Sequence, residues 1–140
     1  MSVLEFSNNG LIDSLTRTPA PAIFLSELSR EFAGTRRNKQ SLTILSLRSS
    51  DPESITEHQI IAMSKSIQAS LRQGEFFSRI SEDGYWIALR GDSTSAKNLL
   101  MRILADNAHT QWSTSVTESA QYQSFNELIS AIDKAHFPIS

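Results

Sequence analysis

The feature that most constrains the fold is a stretch in the middle of the chain, residues 76–89, which has the pattern of a β-hairpin. Aromatic and β-branched residues flank Asp83 and Gly84 on both sides. A two-residue hairpin turn of type I′ needs positive φ angles at both central positions, and an Asp-Gly pair adopts them readily. The stretch therefore predicts two paired strands, 75–80 and 85–89, that turn at Asp83 and Gly84.

Apolar side chains at helical spacing predict four helices around this hairpin. Gly34 can end the first helix as a C-cap, and Asp51 followed by Pro52 is a strong start for the second. A capping box opens the last helix at Ser124. The predicted helical segments are 21–33, 52–73, 95–106 and a segment from Ser124 to His136.

Residues 42–47 and 112–117 have the composition of strands. The resulting order β-α-β-β-α-β, with an extra helix at each end, is that of a ferredoxin-like α+β domain with a mainly antiparallel sheet. We therefore predict one domain with this core.

Length, charge and cysteine content limit the function. The chain has 140 residues, which is enough for one domain, and its net charge of −2 argues against nucleic acid as the main partner. It has no cysteine, so disulfides and thiolate chemistry are excluded. No signal-like amino terminus or apolar run of about 18 residues occurs, so we expect a cytoplasmic protein without membrane insertion.

Several motifs resemble those of GGDEF (diguanylate cyclase-like) domains. Residues 79–85 are similar to the Arg-x-Gly-Gly-Asp-Glu-Phe hairpin of that family, with Ser81, Glu82, Asp83, Gly84 and Tyr85 at the positions of Gly-Gly-Asp-Glu-Phe. Residues 13–28 resemble the family's opening Asp-x-Leu-Thr segment, and 128–137 resemble its last helix, with Phe137 at the position of a tyrosine. The resemblance implies a GGDEF-like domain over residues 13–140, preceded by an extension over residues 1–12.

The family's catalytic carboxylates have no counterpart in this sequence. The strand that carries its metal-binding Asp-x-Asp ends here in Ser46 and Arg48, and the fourth position of the hairpin motif is Gly84. A hydroxyl and a guanidinium do not replace the anionic oxygens that Mg²⁺ needs. On these grounds we expect no catalytic residues, no metal, no cofactor and no enzymatic activity, with the signature hairpin serving the fold.

A second motif points to ligand binding. Arg72 and Glu75 stand at the spacing of the family's inhibitory Arg-x-x-Asp site, which binds the product cyclic di-GMP, and Arg79 is a further candidate ligand residue. Arginine suits this site because its planar fork pairs with phosphate or stacks on a base. The alternative is that Arg72 sits in the last turn of the second helix, where it stabilises the helix dipole and makes a weak surface pair.

Three functions therefore remain open. The first is a regulatory module of cyclic di-GMP signalling that acts on a protein partner or an adjoining signalling domain, and the second is a cyclic di-GMP receptor. A residual cyclase is the third and least favoured hypothesis.

Overall fold

The computed structural model describes residues 4–135, which form a three-layered domain with one sheet between two pairs of helices. The first layer pairs α1 (Pro21–Asn38) with α4 (Phe125–Lys134), and the opposite layer pairs α2 (Glu57–Ser70) with α3 (Ser93–Asp106). The strands are β1 (Leu42–Ser49), β2 (Phe76–Ser81), β3 (Gly84–Arg90) and β4 (Trp112–Glu118), and a short 3₁₀ turn (Ser119–Gln121) leads into α4.

The four strands are arranged in the order β2-β3-β1-β4, and every neighbouring pair is antiparallel. This topology confirms the predicted α+β class and the ferredoxin-like β-α-β-β-α-β order. The central strands β1 and β3 are buried on both faces, which explains why their apolar residues do not alternate with polar ones.

Each face of the sheet has its own apolar core. Leu45 and Leu47 point toward α2 and α3, whereas Ile44 and Trp86 point toward α1 and α4. Since successive side chains of a strand lie on opposite faces, this alternation determines which residues of β1 and β3 can line a site on either side.

The boundaries of α1 and α2 differ from those predicted. Thr56 and Gln59 form the capping box that starts α2, so the helix begins five residues after the predicted Pro52 and residues 52–54 form a turn. The helix ends at Ser70, with Leu71 already extended, and not at residue 73. The first helix continues past Gly34 to Asn38 and ends at Lys39, whose φ is 53°.

The caps of the last two helices were predicted in part. Asp92 is the N-cap of α3, since its carboxylate accepts the Ser95 N–H, and the helix begins at Ser93, two residues before the predicted residue 95. Ser124 caps α4 as predicted. The positions predicted for His136 and Phe137 lie outside the described residues.

Candidate functional site

The predicted hairpin is confirmed, but its turn is shifted by one residue. Ser81 pairs with Gly84, so Glu82 and Asp83 are the central residues of the turn. Neither of them has a positive φ, and the turn is therefore not of type I′. A bulge between Arg79 and Ser81 shifts the register of β2 against β3 further.

Hydrogen bonds from outside the turn hold this conformation. The Arg79 guanidinium donates to the Glu82 carbonyl oxygen from Nε at 3.1 Å and from Nη2 at 2.7 Å. The Ser49 N–H donates to the Asp83 carbonyl oxygen at 3.1 Å. The tip of the hairpin is thus fixed by β2 on one side and by the end of β1 on the other.

Arg79 is part of the core and does not join the predicted ligand site. Its side chain is 0% exposed, and Nη1 lies 3.3 Å from both carboxylate oxygens of Asp13, which is also fully buried. Asp13 in turn accepts two hydrogen bonds from Thr16, and the Phe6 ring covers the guanidinium at 5.3 Å. The pair ties the segment before α1 to the hairpin, so Arg79 is a buried structural residue and not a member of the ligand site.

Tyr85 faces the core beneath α2. Its hydroxyl donates to the Ile60 carbonyl oxygen at 2.8 Å and lies 2.6 Å from Ser64 Oγ. Burial raises the pKa of Tyr85 well above its usual value. The side chain is therefore a neutral hydrogen-bonded group of the core.

A cleft of about 190 Å³ opens where β1, the hairpin and α4 meet. Arg48 and Asp133 bring opposite charges to it, and Trp86 and Ile132 supply apolar surface. The Arg48 Nε lies 3.9 Å from Asp83 Oδ1, while Asp83 Oδ2 is buried with no hydrogen-bond partner among the described residues. The cleft thus combines polar and apolar groups, as small-molecule sites do.

Ser81 and Gly84 form the edge of this cleft at the hairpin. A Cβ atom at position 84 would lie 2.6 Å from Ser81 Oγ, so any larger residue there requires the serine to move. Within residues 4–135, no group of three or more Asp, Glu or His side chains is arranged to hold a metal ion.

The second site is the turn formed by residues 72–75, which we call the 72–75 turn. Gly74 has a φ of 86°, and the Glu75 N–H donates to the Arg72 carbonyl oxygen at 3.0 Å. The Glu75 carboxylate accepts the Arg72 N–H at 2.8 Å and the Arg90 N–H at 3.1 Å. Arg72 lies beyond the end of α2 and is exposed. The predicted position of Arg72 in the last helical turn is therefore corrected: the residue follows Leu71, the C-cap of α2.

Two further arginines, neither of them among the predicted site residues, line the shallow depression beside this turn. They are Arg90, at the end of β3, and Arg102, on α3. Asp92 also lines the depression, and hydrogen bonding to the Ser95 N–H lowers the pKa of its carboxyl group. Arg90 could have been identified only from the hairpin register, because the pairing of Phe76 with Ala88, extended by two residues, places Gly74 opposite Arg90.

Comparisons with known proteins identify the fold. No family model matches the sequence, and no curated protein matches it. Among solved structures, the GGDEF domain of YfiN (TpbB) from Pseudomonas aeruginosa is 18% identical with a TM-score of 0.79, and the match covers 90% of this chain and 86% of that one.

Two other solved structures share the fold. The GGDEF domain of DgcB from Caulobacter crescentus, in complex with cyclic di-GMP, is 12% identical with a TM-score of 0.81, over 92% of this chain and 89% of that one. The diguanylate cyclase SiaD from Pseudomonas aeruginosa, in complex with its activator SiaC, is 16% identical with a TM-score of 0.74, over 89% of this chain and 57% of that one. The predicted resemblance to GGDEF domains is thereby confirmed as a fold.

The prediction that this chain is not an enzyme is corrected by the same comparisons. Structures with its fold include a diguanylate cyclase, so the fold is one that supports catalysis. The substitutions at Ser46, Arg48 and Gly84 were taken to exclude activity, and they do not establish that conclusion. No helix of residues 4–135 has both the length and the apolar character needed to cross a membrane.

Proposed function

We propose that this chain, which has the fold of GGDEF domains, acts in cyclic di-GMP signalling and binds cyclic di-GMP at the 72–75 turn. The observation that carries the proposal is that Arg72, Arg90, Arg102 and Glu75 line one depression, in which two backbone N–H groups hold the Glu75 carboxylate. The complex of the DgcB GGDEF domain with cyclic di-GMP supports the same choice of ligand.

The chemistry of the turn fits a cyclic dinucleotide. The ligand carries two phosphates, and arginine pairs with a phosphate through two parallel N–H···O bonds that are stronger than neutral ones. Glu75 supplies an acceptor for the N–H groups on the edge of a guanine. Both of its oxygens already accept a backbone N–H, which orients the carboxylate and leaves further lone pairs available.

The charges around the depression also favour an anionic ligand. Three arginines line it, against two carboxylates, those of Glu75 and Asp92. Arg72 follows Leu71, the C-cap of α2, and its side chain is exposed to a ligand.

Calorimetric titration of cyclic di-GMP into the purified chain tests the proposal. We expect saturable binding by the wild type and a loss of affinity of about tenfold or more for Arg72→Ala, the value of a charge-assisted contact. Glu75→Gln should also weaken binding. Arg37→Ala, which removes an exposed arginine of α1 that does not line the depression, is the matched control and should bind like wild type. Absence of saturable heat in the wild type would refute the proposal.

A second candidate function is regulation through a protein partner, favoured by apolar side chains exposed before and within the first turn of α1. Leu11 is 60% exposed, and Ile12 and Ile23 are exposed as well. The Ala20 N–H donates to the Leu11 carbonyl oxygen and Ile12 pairs with Pro19, so the segment with Leu11 and Ile12 lies beside the start of α1. SiaD, which shares the fold, was solved with a protein activator.

The protein-partner function requires an interaction that depends on this apolar surface. The measurement is binding between purified components, once a partner has been identified by crosslinking. Leu11→Ser with Ile12→Ser should abolish the interaction, and Met101→Ser, at an exposed apolar position on α3, should not. Equal binding by all variants would exclude this surface.

A further inference from the structure

Arg90 connects the 72–75 turn to α1. Its guanidinium lies over Gly74, where an added Cβ would be 2.8 Å from both Cζ and Nη1. Its Nη2 is 2.9 Å from Glu31 Oε1 on α1. One side chain therefore covers the turn and is held there by a carboxylate from a different element.

In this arrangement the depression is too small for the proposed ligand. Its volume is about 10 Å³, which is room for about one water molecule. The Arg90 guanidinium occupies the space directly over Gly74, beside the depression that Arg90 itself lines. Movement of this side chain would therefore enlarge the space next to the backbone of the turn.

The ion pair that holds Arg90 can be broken readily. The Arg90 side chain is 55% exposed and the Glu31 side chain 23% exposed, and pairs of this kind contribute little because water screens them. A phosphate offers the same guanidinium a bidentate partner. Exchange of Glu31 for a ligand phosphate is therefore favourable.

We propose that Arg90 is a further ligand-binding residue of the 72–75 turn, and that Glu31 competes with the phosphate of the ligand for its guanidinium. Binding then releases Glu31, and with it a contact between β3 and α1. The inference rests on the proposed function and adds to it a named residue and a competing partner within the chain.

The test is a double-mutant cycle on cyclic di-GMP affinity, measured by calorimetry with the full chain. Glu31→Gln should tighten binding about two- to fivefold, the range expected from removal of a surface ion pair that competes with the ligand. Arg90→Ala should weaken binding about tenfold or more. The affinity of Arg90→Lys should lie between those of wild type and Arg90→Ala, because lysine keeps the positive charge but cannot donate two parallel hydrogen bonds to a phosphate. In the Arg90→Ala background, Glu31→Gln should have no effect.

Glu27→Gln is the matched control for the change in charge. Glu27 lies one turn earlier on α1 and pairs with Arg30, so its removal changes the net charge equally without releasing Arg90. If Glu31→Gln and Glu27→Gln change the affinity equally, or if Glu31→Gln acts equally with and without Arg90, the competition is refuted. If Arg72→Ala weakens binding and Arg90→Ala does not, only this inference fails. A wild type without binding overturns the proposed function and this inference together.

Discussion

The buried pair of Asp13 and Arg79 allows the sharpest test of what holds the domain together. Both side chains are 0% exposed, and their contacts join the segment before α1 to the signature hairpin. Asp13→Asn keeps the shape of the side chain and an oxygen for Thr16, but it removes the negative charge opposite Arg79. Arg79→Met removes the positive charge, together with the hydrogen bonds to the Glu82 carbonyl oxygen.

Each single change leaves one uncompensated charge in the core. Removal of one partner of a buried ion pair costs about 3–5 kcal/mol, a large part of the roughly 5–15 kcal/mol by which a domain is stable. The double variant buries neither charge, so its loss should be smaller than the sum of the two single losses by about 2–3 kcal/mol. The predicted signature is therefore strong non-additivity.

Urea unfolding of the two single variants and the double variant measures these free energies. A loss of about 3 kcal/mol moves the midpoint of unfolding by more than about 1 M urea at the slopes usual for small domains. Glu27→Gln and Arg30→Met, at an exposed pair on α1, serve as controls and should each cost less than about 1 kcal/mol. Single variants of Asp13 and Arg79 that cost no more than these controls, or that combine additively, would refute the reasoning.

Two further predictions concern the core and the start of α2. Burial raises the pKa of Tyr85, so the folded state favours the neutral phenol. The free energy of unfolding should therefore be unaffected by this group below a pH of about 10, where an unfolded tyrosine titrates. Above that pH the free energy of unfolding should fall by up to about 1.4 kcal/mol per pH unit. The chain has two tyrosines, so Tyr122→Phe leaves Tyr85 alone and should show this fall when unfolding is measured between pH 8 and pH 11. A fall of the same size in Tyr85→Phe would contradict the prediction. Thr56→Ala should cost about 1 kcal/mol of unfolding free energy, because it removes the N-cap of α2. Asp51→Ala should cost less than about 0.5 kcal/mol. A larger loss for Asp51→Ala than for Thr56→Ala would mean that Asp51, and not Thr56, caps the helix.

Much of the fold could be predicted from local patterns. The apolar stripes of the helices and the composition of the strands specify the β-α-β-β-α-β order, because each element must bury one face against the same sheet. The helix ends were less predictable. Asp51 and Pro52 form a good start, but Thr56 and Gln59 form a complete capping box, and the helix begins where both sides of the box are satisfied.

The prediction of the candidate site depended on the register of the hairpin, and the local sequence of the two strands does not determine that register. A turn at Asp83 and Gly84 would place Arg90 opposite Phe77, far from the 72–75 turn. The observed turn at Glu82 and Asp83, together with the bulge after Arg79, places Arg90 opposite Gly74 instead. Arg79 favours the observed register, because its guanidinium donates to the Glu82 carbonyl oxygen in the turn and is paired with Asp13, 66 residues earlier in the chain. The buried pair of Asp13 and Arg79 therefore stabilises the register that places Arg90 opposite Gly74.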